Sequence, residues 1–290
     1  MISLLLPSRK RPAILRRMIE SALATANRPA FIEIVVRFDN DDLKSAASAP
    51  IFDSELYKNA DDVLVLLGPR LRKITIYWNE CFKACHGDIV CQANDDMVFV
   101  TKGWDAMVEK AFAEVPDKIM LVHGSDVFGH GSNFGPHAFV HRRWVEALGY
   151  FIPPYFSSDF GDAWINELAN MIGRRRYVPF NIEHHHFSQG KAEVDENTRE
   201  RLERHAKDDP DTLYYSPEMC FERLRDAHKL AALMDRGVNT TGWCPPHSNI
   251  RSAGMCSACG SLSTVAVGVG KFHCNACGQI FAPVAKHAEI

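Results

Sequence analysis

Gly87-Asp88-Ile89-Val90-Cys91-Gln92-Ala93-Asn94-Asp95-Asp96 is the stretch on which the reading of this chain turns. A Gly-Asp pair leads into four residues, Ile89 to Gln92, with the composition of a short buried strand. The strand runs directly into three consecutive oxygen-bearing side chains. Carboxylates gathered at a strand end cost folding free energy unless something positive lies against them. A hard divalent cation bridging a diphosphate would fill that role, because Mg2+ and Mn2+ favour carboxylate and phosphate oxygens. The alternative is an acidic turn that caps the next helix, and the decapeptide alone does not separate the two.

Working outward, residues 1–190 alternate short β-branched runs with amphipathic stretches, the pattern of an α/β domain. Strands are expected at residues 2–6, 32–37, 63–66, 74–77, 89–92, 119–122, 138–141 and 177–179. Helices are expected at 12–25, 79–85, 104–115, 142–148 and 162–172. Pro12 suits a first helical turn, where a missing N–H costs nothing, and Gly173 suits a left-handed stop. Residues 191–240 change character: charges crowd together, and Phe221, Leu224, Ala227, Ala231 and Met234 recur at helical spacing. Two surface helices packed back on the core are expected there, with the charges forming a solvated face. Residues 241–250, with Gly242, Pro245 and Pro246, read as a linker to a separate module at 251–290.

The chain has 290 residues, enough for one large α/β domain plus a small appendage. With 46% hydrophobic and 24% charged residues it reads as an ordinary globular protein. A formal net charge of -3 gives no sign of a nucleic-acid partner from the whole-chain field, so any polyanion contact is expected to be local. The apolar run at residues 2–6 stops at Pro7, and no later run approaches a membrane span, so a cytoplasmic protein with no membrane partner is expected.

At this point the residues resemble a known family. Residues 1–187 look like a family 2 glycosyltransferase of the GT-A type, a Rossmann-like fold with a mainly parallel sheet flanked by helices. Leu4-Leu5-Leu6-Pro7-Ser8-Arg9-Lys10-Arg11-Pro12 resembles the family's first strand and the turn that meets the nucleotide. Ile34-Val35-Val36-Arg37-Phe38-Asp39-Asn40-Asp41-Asp42 resembles its second strand, which ends in an acidic residue that contacts uracil or ribose. Asn79 falls where the family often has an Asn ahead of the Gly-Asp pair. Asn94-Asp95-Asp96 stands at the spacing of the Asp-x-Asp motif, with Asn94 replacing the first Asp. The resemblance implies Asp96 as the firmest metal ligand, Asp95 as a direct or water-mediated one, and Pro7, Ser8, Arg9, Arg11, Asp39, Asp41, Asn79, Asn94 and Asp95 as donor-binding residues.

Two downstream features fit the same family. Asp162, a helix, Gly173 and Arg174-Arg175-Arg176-Tyr177-Val178-Pro179 resemble its acidic catalytic position, helix and a strand ending in Pro. Asp159, one helical turn earlier, is a rival. Glu183-His184-His185-His186 follows where the family often places a metal-binding His, and on a strand His184 and His186 would share one face. Residues 187–192 read as a loop over the donor. The chemistry needs these parts, since a departing nucleoside diphosphate carries charge that a divalent metal, Mn2+ or Mg2+, and basic side chains offset. Arg9, Arg11, Arg70, Arg72 and Lys73 are candidates for the basic groups. An inverting transferase also needs a carboxylate to take the acceptor hydroxyl proton, with Asp162 first choice and Asp159 second; a retaining enzyme needs none.

Nine cysteines look like a disulfide set until they are placed. Cys81, Cys85, Cys91, Cys220 and Cys244 are scattered, whereas Cys256-x-x-Cys259-Gly260 and Cys274-x-x-Cys277-Gly278 form two pairs with 14 residues between them. That spacing reads as a closed tetrahedral Zn2+ site, a structural zinc ribbon whose metal supplies much of the module's stability. Arg251, Lys271 and Lys286 against Glu289 make it mildly basic. The whole architecture resembles phage-type enzymes that glycosylate modified DNA bases in the host cytoplasm. The expected substrates are therefore a nucleotide-sugar donor, UDP-linked for preference, and an acceptor hydroxyl, with DNA held by the ribbon as one acceptor. Surface or lipid-linked saccharide is the alternative acceptor. A sugar-phosphate nucleotidyltransferase is the alternative enzyme, disfavoured because residues 7–12 contain no Gly. A non-catalytic nucleic-acid-binding protein leaves Asp96, Asp162 and the histidine run without a role.

Overall fold

The computed structural model describes residues 1–43, 62–126, 132–187 and 190–234, together with the backbone of 264–268, 271–274 and 280–281. The chain opens with β1 (Ile2–Pro7), α1 (Pro12–Thr25) and β2 (Ile32–Asp39), followed by β3 (Asp62–Gly68), α2 (Thr75–Ala84), β4 (Ile89–Gln92) and β5 (Met97–Phe99). It continues through α3 (Trp104–Ala113), β6 (Leu121–Ser125), β7 (Phe139–His141), α4 (Arg142–Leu148), α5 (Gly161–Met171) and β8 (Arg175–His184). Three helices follow, α6 (Glu196–Asp208), α7 (Pro210–Tyr214) and α8 (Pro217–Ala231).

One eight-stranded sheet carries the order β3-β2-β1-β4-β7-β6-β8-β5. β3, β2, β1 and β4 run parallel, with Leu5 opposite Val35 on one side and Gln92 on the other. The second half is mixed: β7 is antiparallel to β4 and β6, β8 is parallel to β6, and β5 is antiparallel to β8. The expected mainly parallel sheet is therefore a parallel half joined to a mixed half. Covered strands alternate their side chains between two apolar cores. Leu4, Leu6, Ile34 and Val36 pack with α1 and α3, whereas Leu5, Val35 and Val90 pack with Trp78, Trp144 and Trp164.

α1 buries Leu15, Met18, Ile19, Ala22 and Leu23, the i, i+3, i+4 stripe of an amphipathic helix, with Pro12 in its first turn. Several expected elements are displaced. Residues 74–77 are not a strand: Thr75 to Tyr77 open α2, four residues before the helix start expected at Asn79. Burial of Thr75, Tyr77, Trp78 and Cys81 along one face overrides the local β preference of Ile74-Thr75-Ile76-Tyr77. Pro179 does not end its strand. β8 continues through it to His184, and the pairing with β6 shifts register between His123 and Ser125. A strand tolerates a residue without an N–H where the ladder is irregular. The described part of the 191–240 region, residues 191–234, holds three helices where two were expected, each with a side-chain cap, Asp195, Asp209 and Ser216.

In the tail, the described backbone is a three-stranded antiparallel sheet of β9 (Thr264–Gly268), β10 (Lys271–Cys274) and β11 (Ile280–Phe281). Cys274 closes β10; Cys256, Cys259 and Cys277, and with them the zinc site, lie outside the described residues, as does the linker at 241–250. Among the described residues no helix is long and apolar enough to cross a membrane.

The close approach of β6 to β8 depends on Gly124. A Cβ there would lie 2.4 Å from the Phe180 carbonyl oxygen and from its ring. Gly124→Ala is expected to destabilise the protein by about 1–3 kcal/mol, the usual cost of overpacking. Urea unfolding measures it, and an unchanged midpoint would show that the two strands can part without cost.

Candidate active site

β1 and β4 lie side by side and parallel, but the chain leaves β1 towards β2 and returns on the other side to form β4. Such a reversal of strand order opens a crevice beyond the carboxyl ends of the two strands. The turn after β1 fills it. Ser8 Oγ donates to Asp95 Oδ2 (2.9 Å), and Arg11 Nη1 donates to Asp95 Oδ1 (3.2 Å). The Lys10 N–H, on backbone at φ 54°, donates to Asp42 Oδ2 at 2.6 Å. Arg9 donates to Asp39 Oδ2 (3.1 Å) and pairs with Asp41. Asp39 is buried and also accepts from Arg37 (2.9 Å) and from the Tyr77 hydroxyl (2.6 Å); burial and that bond push Tyr77 up to about 12.

Pro7, Ser8, Arg9, Arg11, Asp39, Asp41, Asn94 and Asp95 thus gather at the ends of β1, β2 and β4. Asn79 does not join them. Its carbonyl accepts from the Phe151 and Ile152 N–H groups, and its amide donates to the Thr75 and Ile152 carbonyls, so it clamps one loop to α2.

The irregular middle of β8 places the histidines. Beyond it β8 turns its edge to β5, pairing His184 with Met97, and the His185 N–H donates to the Asp96 carbonyl at 2.9 Å. His184 Nε2 then faces Asp96 Oδ1 at 3.3 Å, a buried oxygen with no hydrogen bond of good geometry among the described residues. Burial would raise Asp96, but His184, with His137 and Arg11 further off, holds its carboxyl below the ordinary range. Asp95 moves the other way: burial and the Asp96 charge raise it against Arg11 and Ser8. The rings of His184 and His186 lie 5.2 Å apart, but not through the expected strand alternation. β8 ends at His184, and a tight turn in which the His186 N–H donates to the His184 carbonyl at 2.9 Å brings them together, while His185 faces Glu183. His137, two residues ahead of β7, packs edge-on against His184 at 4.8 Å. Fully enclosed, it is held neutral, at about 3, by desolvation. Nothing in the sequence singled His137 out, because its place depends on the β4–β7 pairing. Among the described residues no three His, Cys, Asp or Glu side chains converge into a complete metal site.

A cleft of about 330 Å3 opens beside this cluster, lined by Asp159, Phe160, Asp162, Ala163, Arg201, Leu202 and His205. Asp162 sits in the first turn of α5, where its carboxylate accepts from the Ala163 N–H at 2.8 Å. No side chain among the described residues donates to it, and burial raises its carboxyl. α5 starts close against the loop after α4 because Gly161 lets it; a Cβ there would come within 2.6 Å of Ile152. Asp159 is matched instead, by Arg201 (2.6 Å) and His205 (2.9 Å), which overcome its burial and lower it. Both partners lie on α6, one turn apart, and Arg201 also reaches His186 Nε2 at 2.9 Å.

The expected solvated face of α6 holds only in part: Arg199, Glu203 and Lys207 are exposed, while other charges pair with the rest of the chain. Asp195 accepts from Arg11 at 2.6 and 2.9 Å, Glu196 from Lys10, Glu200 from Arg70 and Asp208 from Arg72. Among its residues only Thr198 is buried, so the helix is held down by ion pairs. Arg201 and His205 share one helical face at i, i+4, a spacing visible in the sequence, but charge alone does not distinguish pairing from solvation.

No protein-family model and no curated protein matches this sequence. Solved structures do. A mannosyltransferase, PcManGT from Pyrobaculum calidifontis in complex with GDP-Man and Mn2+, superposes with a TM-score of 0.52 at 13% identity, covering 80% of this chain and 69% of that one. The structure of S. aureus TarS 1-349 in complex with UDP-GlcNAc gives 0.51 at 14% identity, covering 80% and 70%. A longer TarS chain matches over 62% of this protein, which spans 36% of that chain at a TM-score of 0.47 and 13% identity. The chain has a GT-A-like glycosyltransferase fold. The likeness is one of fold, carried by the sheet and its flanking helices.

The ion pairs make the docking of α6 depend on pH and salt. Asp159 and Asp195 are lowered in the folded protein, so their contribution exists above the unfolded carboxylate value and is lost as pH falls through the folded one. His205 is raised by its bond to Asp159, so its contribution exists below the unfolded histidine value and is lost as pH rises through the folded one. α6 should be held best between about pH 4 and 6.5, and less well in high salt. Amide exchange across 196–208, corrected for intrinsic rate, tests this; equal protection at all pH and salt would show that packing and not charge holds the helix.

Proposed function

We propose that the protein is a metal-dependent glycosyltransferase that moves a sugar from a nucleoside-diphosphate donor, with UDP favoured, to an acceptor hydroxyl. The observation that carries this reading is the continuity of the site: Asp96 faces His184, His184 neighbours His186, and His186 is bridged through Arg201 to the cleft holding Asp159 and Asp162. Asp162 is the general base. It takes the proton of the acceptor hydroxyl as that oxygen attacks the anomeric carbon, and the bond from that carbon to the diphosphate breaks. Asp159, already paired, is suited to holding the cleft together rather than to accepting a proton.

The residues present fit a hard divalent cation. Asp96 offers a buried oxygen lacking a good hydrogen bond, and His184 Nε2 stands beside it. Asp96 and His184 would hold Mn2+ or Mg2+ from the protein side, Asp95 through water. Donor oxygens would complete the shell, in keeping with the few protein ligands such ions take. His186 is less suited, because Arg201 occupies its Nε2. When bound, the cation supplies charge against the departing diphosphate. Arg9 and Arg11, at the crevice, supply more. The donor's base and ribose are assigned to the end of β2, near Asp39 and Asp41.

The zinc ribbon remains part of this reading on the two Cys-x-x-Cys-Gly knuckles, supported by the antiparallel strands around Cys274. With it goes a polymeric acceptor, DNA carrying modified bases by preference. The phage setting and the host cytoplasm as its location rest on the same likeness.

Asp96→Ala should abolish transfer and donor hydrolysis while the protein stays folded. Asp162→Asn should leave donor affinity nearly unchanged and lower the transfer rate by roughly 10²–10⁴; wild-type activity should fall as pH drops through a value above the ordinary carboxylate range, because the base works unprotonated. Nucleotide-sugar turnover with Mn2+ checks all of these, and a full rate in Asp162→Asn would remove the base. Elemental analysis should find one zinc per chain, lost when Cys274 and Cys277 are replaced; zinc-free protein with an intact tail would dismiss the ribbon.

A further inference from the structure

Arg201 stands at the centre of the site, yet no motif points to it. We propose that Arg201 is a positioning residue, which fixes the tautomer of His186 and commits Asp159 to a permanent ion pair, so that Asp162 alone is left to exchange protons with an acceptor. The last step rests on the transferase reading above; the first two rest on geometry.

The guanidinium spans two walls of the cleft. Nη1 meets His186 Nε2 at 2.9 Å, while Nε and Nη2 reach Asp159 Oδ1 at 2.9 and 2.6 Å. An arginine donates and cannot accept. His186 Nε2 must therefore be the acceptor, which leaves the imidazole neutral with its proton on Nδ1. That tautomer turns the lone pair of Nε2 towards α6. Asp159 receives four donors in all, the others being His205 Nδ1 at 2.9 Å and Ser158 Oγ at 3.0 Å. A carboxylate so matched is an anchor, and protonating it would break the pairs that hold α6 to the cleft.

Asp162 lies one turn further along, in the same cleft. It is faced by Asp159 from its own side and by Arg201 and His205 from α6, with His186 beyond Arg201. Two nearby carboxylates whose surroundings differ this much divide their roles, one remaining an anion and the other exchanging protons. Arg201 produces the difference, because its fork is spent on Asp159 and only its charge is felt at Asp162. A planar fork can serve two acceptors at fixed angles, and a lysine cannot.

The experiment compares wild type with Arg201→Met and Arg201→Lys by three readouts: the His186 tautomer by 15N NMR, the titration of Asp162 by 13C NMR, and kcat against KM. In Arg201→Met, Nδ1–H should give way to a mixture with Nε2–H, and Asp162 should titrate at higher pH because a nearby cation is gone. The rate kcat should drop about 10–100-fold, as when outer-shell partners are removed, with KM for the donor little changed. Arg201→Lys should keep the Asp162 titration near that of wild type but lose the tautomer, since a single ammonium replaces the charge and not the fork. A His186 tautomer and an Asp162 titration both unchanged in folded Arg201→Met would overturn the proposal. Should Arg201→Met fail to fold, Arg201→Lys with a wild-type tautomer overturns it equally. If wild type turns over no nucleotide sugar, the transferase reading falls, while the two NMR readouts still judge Arg201.

Discussion

Carboxylates with little water around them organise this molecule. Asp39 and Asp95 are almost wholly enclosed, and Asp96 and Asp159 are mostly so. An ion withdrawn from water costs several kcal/mol unless a partner of opposite charge meets it with good geometry. Each of these acids lies at the end of a strand or ahead of a helix, at the mouth of the crevice, and cations are brought to them from several parts of the chain. Arg9 serves Asp39, Arg11 serves Asp95, His184 faces Asp96, and Arg201 with His205 serves Asp159. The turn after β1, the end of β8 and α6 are held where these pairs require.

The consequence for α6 is unusual among the helices here. α1 and α5 are set by apolar burial, and their positions follow from the stripe each presents to the sheet. Among its residues only Thr198 is buried, and α6 with its Asp195 cap is placed by ion pairs to Lys10, Arg11, Arg70, Arg72 and Asp159. Removing one acid from such a contact leaves an unmatched arginine at the site, which costs more than the lost bond. The wall of the cleft formed by Arg201, Leu202 and His205 is thereby tied to the charge state of the whole crevice. The same ion pairs place Arg11, Arg70 and Arg72 against acids of this chain.

A mixed sheet also has a purpose in placing the site. A wholly parallel continuation beyond β4 would send every later strand end to one edge in turn. Instead β7 reverses, bringing His137 back beside the acidic turn, and β8 changes partner from β6 to β5 partway along its length. The register shift around Pro179 makes that change possible, since a residue without an N–H loses nothing where the ladder is already broken. Through it, His184 comes from 88 positions away to face Asp96.

The sequence by itself determined the α/β alternation, the helix at Pro12–Thr25 and the strand at Ile89–Gln92 with its acidic end, because hydrophobic period, turn residues and carboxylate clustering are local properties. The paired cysteines were equally legible, as a spacing. Tertiary structure alone decided the rest. The contacts of Ser8 and Arg11 with Asp95 needed the pairing of β1 with β4. Residues 74–77 have the local preference of a strand and became part of a helix because burial against the sheet outweighs a propensity worth less than about 1 kcal/mol per residue. Asn79, matched to a motif, was claimed by the backbone at 151 and 152. The resemblance ranked Asp162 ahead of Asp159 without a physical difference between them, and it is the arrival of Arg201 and His205 on α6 that pairs Asp159 and leaves Asp162 without a side-chain donor among the described residues. Charge on a helix does not say whether water or another residue will meet it. That is settled by which surfaces the fold brings within 3 Å, a matter of geometry no local pattern contains.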